Sequence, residues 1–242
     1  MSGEKQQVGS VWTRPRRTRE QPVLTREHIV AEAVSLLDAE GMEALTMRQL
    51  GARLNAGATS LYRHVANRDE LIELVVDAVY GEIQVPEIDD RANWRSATVE
   101  FAAEMRAMIL RHPWMAASLG QVGLSYLGPN VMRMTERMVA LFEIGGFDPA
   151  EIGDAVGTVV GYVVGVGISE AAWLTTLARS GQSEDEMVAG LRPAAERAVA
   201  EFPHLRGTTT GGDWSESPAA IRDRKFDYGV QRVLDGLESR RR

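Results

Sequence analysis

Apolar residues recur at three- and four-residue spacing along this chain, the period of a helix with one buried face. From Trp94 onward no alternating, strand-like pattern interrupts them. Near the start, Ile29, Ala33, Leu36 and Leu37 form one stripe, joined by Val30 and Val34. Thr25 caps that helix, Leu24 and Ile29 staple its entry, and Gly41 is placed to end it after Glu40. A second start signal follows at Thr46, with Gln49 three residues on to complete a capping box and Leu45 and Leu50 as the staple. Leu50 and Leu54 share a face, and Gly51 lets a neighbouring segment approach closely. Asn55 tolerates the left-handed conformation that ends a helix, and Ala56-Gly57 continue the break. A further helix then turns Leu61 and Val65 inward and Thr59, Ser60, Tyr62, Arg63 and His64 mostly outward. A fourth begins at Asn67, with Glu70 in its third position, and carries Leu71, Leu74, Val75 and Ala78 toward Tyr80.

The connector VPEIDDR, Val85 to Arg91, reads as a domain boundary. Beyond it, helices are expected over Trp94 to His112 and from Gly128-Pro129 to Gly145-Gly146. Another should start at Asp148 as cap with Pro149 first. In that last run Gly153, Gly157, Gly161 and Gly165 recur every fourth residue, a smooth ridge on one side of the helix. Each glycine costs roughly 1 kcal/mol against Ala, so close packing should repay it. The packing could lie within the chain, between two copies, or along a ligand cavity. The apolar run between Asp154 and Glu170 is about fourteen residues, too short to span a bilayer, so no membrane contact is expected. After a polar break at Arg179 to Glu186 a helix should run to about Glu201. Phe202 to Pro218 reads as a loop, its Pro203, Gly207, Gly211 and Gly212 disfavouring helix. The last helix, about Ala219 to Arg240, places Ile221, Phe226, Val230, Val233, Leu234 and Leu237 on one apolar side. The fold class is all-α. A flexible arm (1–22) precedes a helix-turn-helix domain (23–84), and a long fourth helix joins it to a helical domain (91–242).

Charge divides the chain. Net charge is −7 overall, yet residues 1–70 hold ten Lys/Arg against nine Asp/Glu, and the remainder seventeen against twenty-five. From Ala44 through Arg68 there is no acid, while Arg48, Arg53, Arg63 and Arg68 are positive. A basic patch on an acidic protein is the footprint of a nucleic-acid face. The arm adds Arg14, Arg16, Arg17 and Arg19, suited to phosphates or a minor groove if they are more than a solvated tail. There is no Cys, which excludes disulfides and thiolate chemistry and fits a reducing compartment. The opening MSGEKQQVGS is polar, without a secretory or twin-arginine pattern, so a cytoplasmic location is expected. His28, His64, His112 and His204 are scattered, and neither a metal motif, a phosphate loop nor a nucleophile elbow accompanies them. Neither enzyme activity, metal nor cofactor is expected.

Two short helices joined by a tight turn form a helix-turn-helix, whose second helix enters the major groove. In Leu24 to Val79, LTREHIVAEAVSLLDAEGMEALTMRQLGARL and then SLYRHVANRDELIELVVDAV resemble the DNA-binding domain of the TetR family of bacterial transcriptional regulators. The segments RHPWMAASLG, LGPNVMRMTERMVALFEIGGF and FDYGVQRVLDGLESR resemble the C-terminal domain of its tetracycline-repressor branch. The resemblance implies a homodimeric repressor on a palindromic double-stranded DNA operator, released by a small-molecule effector. It also implies a four-helix dimer bundle of the glycine-ridged helix and the last one.

For DNA, Thr46 starts the helix carrying Arg48, whose fork can meet guanine and which matches a base-contacting family position. Ala58, Thr59 and Ser60 are short enough to let the backbone sit deep, and Tyr62, His64 and Arg68 suit phosphates. For an effector, Trp94, Phe101, Met105, Met108, Trp114, Met115, Met134, Met138, Tyr162 and Trp173 offer aromatic walls and adaptable thioethers for a flat, mostly apolar molecule. Singly, such residues read equally as ordinary core. Alignment from Trp94 sets Phe101 and Leu119 where the tetracycline repressor has an amide and an imidazole for drug and magnesium. That register implies a different effector. Two other readings stay open: a helical small-molecule-binding or enzyme-like protein whose hairpin is structural, and a DNA-binding protein without an effector.

Overall fold

The computed structural model describes residues 24–119, 128–205 and 216–241, without the side chains of residues 117 and 119, and among them no strand occurs. Ten helices are used here as α1 (Arg26–Glu40), α2 (Met47–Arg53), α3 (Ala58–Leu61), α4 (Arg68–Tyr80), α5 (Trp94–Arg111), α6 (Met115–Leu119), α7 (Pro129–Gly145), α8 (Pro149–Ser180), α9 (Glu184–Val199) and α10 (Pro218–Glu238). The basic arm, residues 1–22, lies outside the described residues.

Local signals act as their chemistry dictates. The Thr25 hydroxyl accepts the His28 N–H, and Gly41, at φ +81°, ends α1 with its N–H on the Leu37 carbonyl. Thr46 accepts the Gln49 N–H at 3.1 Å, but the expected reciprocal half of the box is different. The Thr46 N–H goes to the Ala44 carbonyl, and the Gln49 side chain takes the Thr46 hydroxyl instead. Asn55 has φ +49°, the left-handed turn that separates α2 from α3. A β-carbon on Gly51 would lie 2.8 Å from the Ala56 carbonyl oxygen, so the tight turn itself requires this glycine. The expected helix through Val65 is shorter. It ends at Leu61 and continues as turns, with the His64 and Val65 N–H groups on the Leu61 carbonyl.

α1, α2 and α4 close the head around Ile29, Leu36, Leu50, Leu61 and Leu71, all essentially inaccessible. The body is a bundle of α5, α7, α8 and α10, with α5 and α8 its most extensively packed pair. At its base the Trp94 ring meets Phe142 and Phe147 edge-on, at 5.8 and 5.0 Å between centroids. α8 is one helix of 32 residues, so the length argument against a membrane span is corrected. By length and composition alone α8 could cross a bilayer. Its Val159, Val163 and Ala171 instead pack into the bundle, and its buried Glu170 is held there by two arginines. The glycine ridge also differs from one expectation. A β-carbon on Gly153, Gly157, Gly161 or Gly165 would meet nothing within 4 Å, so among the described residues the ridge lies open rather than packed within the chain. The close approach inside the bundle falls instead at Gly167, where a β-carbon would lie 2.9 Å from Ile109 Cδ1. Helix was disfavoured after Phe202, yet residues 203–205 form a helical turn, and residues 206–215 of that expected loop lie outside the described ones.

Polar ties join head to body, among them an ion pair of Glu82 with Arg111. Asp77, buried on α4, accepts the Asn130 and Val131 N–H groups at 2.9 and 3.1 Å and so caps α7. Asp38 at the end of α1 meets His112 Nδ1 at 2.6 Å and accepts the Trp114 indole N–H at 2.7 Å. His112 Nε2 faces Glu82 at 3.2 Å.

Candidate nucleic-acid interface

The interface is built by what buries its back. Leu61 and Val65 are 0% and 1% exposed and pin the α3 segment to the head, which leaves the intervening side chains outward. Tyr62 is 53% exposed, Thr59 and Arg63 are exposed, and Ala58, Ser60 and His64 are half-buried around them. Arg48, two residues into α2 beyond its Thr46 cap, is exposed, and no hydrogen bond or ion pair engages it among the described residues. Thr46, Arg48, Ala58, Thr59, Ser60, Tyr62 and His64 therefore sit on or beside one short surface.

The positive patch is smaller than the sequence suggests. Arg53 Nε bonds Glu32 Oε1 at 2.5 Å, and its other nitrogens reach Glu40 and Ser35. These partners lie outside the acid-free stretch in sequence, and the fold brings α1 back beside α2. Arg68 donates to the carbonyls of Leu45 at 2.9 Å and Met42 at 3.1 Å, so its fork locks the approach to α2. Its remaining N–H groups are what a phosphate could take. Arg48 and Arg63 carry the outward charge. Arg26 Nε also donates to the His64 carbonyl, a brace between α1 and the α3 segment that periodicity could not reveal.

In the body the ten effector candidates do not converge, and Met108, 1% exposed, is core like most of them. Trp94, Phe101, Met105, Met115 and Met138 are tightly packed core, none more than 1% exposed. Met134 edges a polar cavity of about 220 Å³ beside Tyr80, Gln84 and Arg137. The Tyr162 hydroxyl donates to the Phe226 carbonyl at 3.1 Å across α8 and α10, and burial raises its pKa. Trp114 borders a cleft beneath the head, and Trp173 lines a cavity of about 640 Å³ with Val188, Ala189, Pro218 and Ile221 between α8, α9 and α10. The Trp173 indole N–H is fixed on Glu184 Oε1 at 2.7 Å. The Leu119 side chain lies outside the described ones. Sequence reasoning missed the charge network under this cavity. Glu170 takes Arg106 through two bonds of 2.7 Å and Arg222 through one of 3.0 Å, and Arg222 also reaches Glu184. Burial pushes the Glu170 carboxyl up, but the hydrogen bonds and charges of Arg106 and Arg222 outweigh it and hold the group below the ordinary carboxylate range. Among the described residues no group of three or more His, Asp or Glu is placed to hold a metal ion.

A helix-turn-helix with an outward, acid-free face, carried on an acidic helical body, defines a DNA-binding regulator. Comparison with known proteins makes this specific. Residues 29–75 match the bacterial regulatory proteins of the tetR family, and residues 86–241 match the tetracyclin repressor-like C-terminal domain. The chain belongs to the TetR family and is one of its transcriptional repressors. It is 36% identical over 236 residues to an HTH-type transcriptional regulator of Saccharopolyspora erythraea, covering 95% of this chain and 91% of that one. It is 34% identical to the HTH-type transcriptional repressor DrrR1 of Streptomyces coeruleorubidus, covering 90% and 78%. Among solved structures, ActR of Streptomyces coelicolor in complex with actinorhodin superposes with a TM-score of 0.74 at 30% identity, covering 90% and 97%.

Proposed function

We propose that this chain acts as a cytoplasmic homodimer, with residues 23–84 gripping a palindromic operator and residues 91–242 pairing the subunits and sensing an effector. The observation that carries the DNA reading is Arg48, exposed and, among the described residues, unengaged beside the outward face of α3. Two copies of that face about 34–36 Å apart would enter successive major grooves. Arg48 reads guanine, Ala58 and Thr59 lie against the bases, and Tyr62 and His64 hold phosphates. The open glycine ridge of α8, beside α10, supports pairing through those two helices. The effector is a flat, largely apolar molecule. The Trp173 cavity, with its apolar walls and fixed indole, supports this, as does the actinorhodin bound by the similar ActR. Effector binding weakens the grip by as much as its affinities for the two head spacings differ, and the Asp77 and Asp38 ties are the contacts through which α4 and α1 feel the body.

The test is a gel shift on the DNA upstream of the chain's own gene, repeated at rising salt. A sequence-specific, salt-sensitive complex is expected. Arg48→Ala should cost about 1–3 kcal/mol and relax preference at one base pair, whereas Tyr62→Ala should weaken all sequences alike. Equal effects from both would refute the division of roles, and no specific complex would return the hairpin to a structural part.

A further inference from the structure

His112 stands where α5 ends, its buried ring between two acids of the head. Nδ1 lies 2.6 Å from Asp38 Oδ1, near the end of α1. Nε2 lies 3.2 Å from both carboxylate oxygens of Glu82, just beyond α4. An ionised carboxylate only accepts hydrogen bonds, and a neutral imidazole has one N–H and one lone pair. A neutral ring would therefore turn its lone pair on one of the two acids, at hydrogen-bond distance and away from water. The imidazolium donates to both. Histidine is also the side chain whose charge ordinarily changes between about pH 5 and 8.

The other groups facing the ring do not replace that proton. From α5, Arg111 pairs with Glu82. The Trp114 indole N–H bonds the same Asp38 oxygen that faces Nδ1, and adds no charge. Across the cleft that Asp38 and Trp114 line, α8 brings the exposed Arg179 with the uncharged Leu174, Thr175 and Ala178. Glu40, on the same cleft, is paired with Arg53. With a protonated ring, Asp38, Glu82, Arg111 and His112 sum to zero charge, and without it one negative charge is left over. Asp38 keeps its bond from Trp114. The Glu82 side chain is 36% exposed and can turn to water, so Glu82 is the side that lets go.

We propose that His112 is a proton-operated latch between head and body. Protonated, it holds the ends of α1 and α4 against α5. As pH rises from about 6 to 8 the ring gives up its proton, Glu82 is released, and the α4 lever loosens at its body end. The repressor's grip then weakens with rising pH, a consequence that rests on the coupling of head to body through these ties.

Hydrogen exchange of the full-length protein at pH 6 and pH 8, corrected for the faster chemical exchange at high pH, tests the latch without operator or effector. The Glu82 and Ile83 N–H groups bond the Val79 and Tyr80 carbonyls at 3.0 and 3.2 Å, so they report the end of the lever. In wild type they should be at least threefold less protected at pH 8. Glu82→Gln supplies an amide that can donate to a neutral ring nitrogen, so its junction should stay closed at both pH values. His112→Gln should likewise lose the pH difference. From pH 6 to pH 8, operator affinity should fall at least threefold more in wild type than in Glu82→Gln, a comparison in which the contribution of His64 at the DNA face is common to both. Equal protection of wild type at the two pH values, or a difference that survives in Glu82→Gln, would overturn the latch. An equal fall of operator affinity in the two chains would overturn its role in repression. No specific complex with either chain would instead sink the DNA reading and leave the exchange result to decide the latch.

Discussion

Single residues set the DNA-facing turn. Gly51 shows how little room it has, because the atom opposing any β-carbon there is a backbone oxygen 2.8 Å away that cannot rotate aside. Gly51→Ala should therefore destabilise the head by about 1–3 kcal/mol despite its better helix propensity, and weaken operator binding with it. Thermal unfolding and a gel shift on the same variant check this, and an unchanged melting temperature would show that the turn can relax. The sequence announced Gly51, Asn55 and both threonine caps, since these residue types act on their own backbone. It could not announce the partner of Arg53, which lies 21 residues earlier in the chain. Asp77 was visible in hindsight as the one charge in VVDAVY, an acid that an apolar run would not tolerate without a partner.

At the scale of elements, α8 is held to α5 and α10 by apolar packing and by the network around Glu170. Because Glu170 has a lowered folded-state pKa, its contribution to stability is present above its ordinary value of 4.5 and is lost as pH falls through the folded value. Acid unfolding of the wild type should thus show a stability loss beginning below about pH 4.5 that Glu170→Gln lacks. At neutral pH that variant should be less stable by about 3 kcal/mol, since two arginines keep only their outer partners Asp223 and Glu184. Denaturant titration at pH 7 and pH 4 separates the two effects. A pH profile parallel to that of wild type would remove Glu170 from the acid response. The helix starts and stops of this body were legible from Asp148-Pro149 and Gly128-Pro129. The pairing of Arg106 and Arg222 on one carboxylate was not, for it joins three helices that no local pattern relates.

For the whole molecule, the question is what meets the open side of α8. Gly161→Arg adds bulk and charge where the single chain has free space, and it should improve helix propensity by up to about 1 kcal/mol. If two copies pair through this ridge, the variant should run as a folded monomer in size-exclusion chromatography, with its helical circular dichroism retained and operator binding lost. A variant that remains dimeric would move the subunit interface elsewhere.

What the sequence determined alone was most of what is local or periodic: the order of the main helices, their threonine caps, the left-handed turn, the buried stripes and the family of the head. These follow from forces acting within a few residues. Tertiary structure decided which arginines face outward, which aromatic residues are core and which line cavities, and that the glycine ridge lies open while Gly167 bears the close contact. Charge pairing and cavity shape depend on residues distant in the chain, and periodicity contains no term for them.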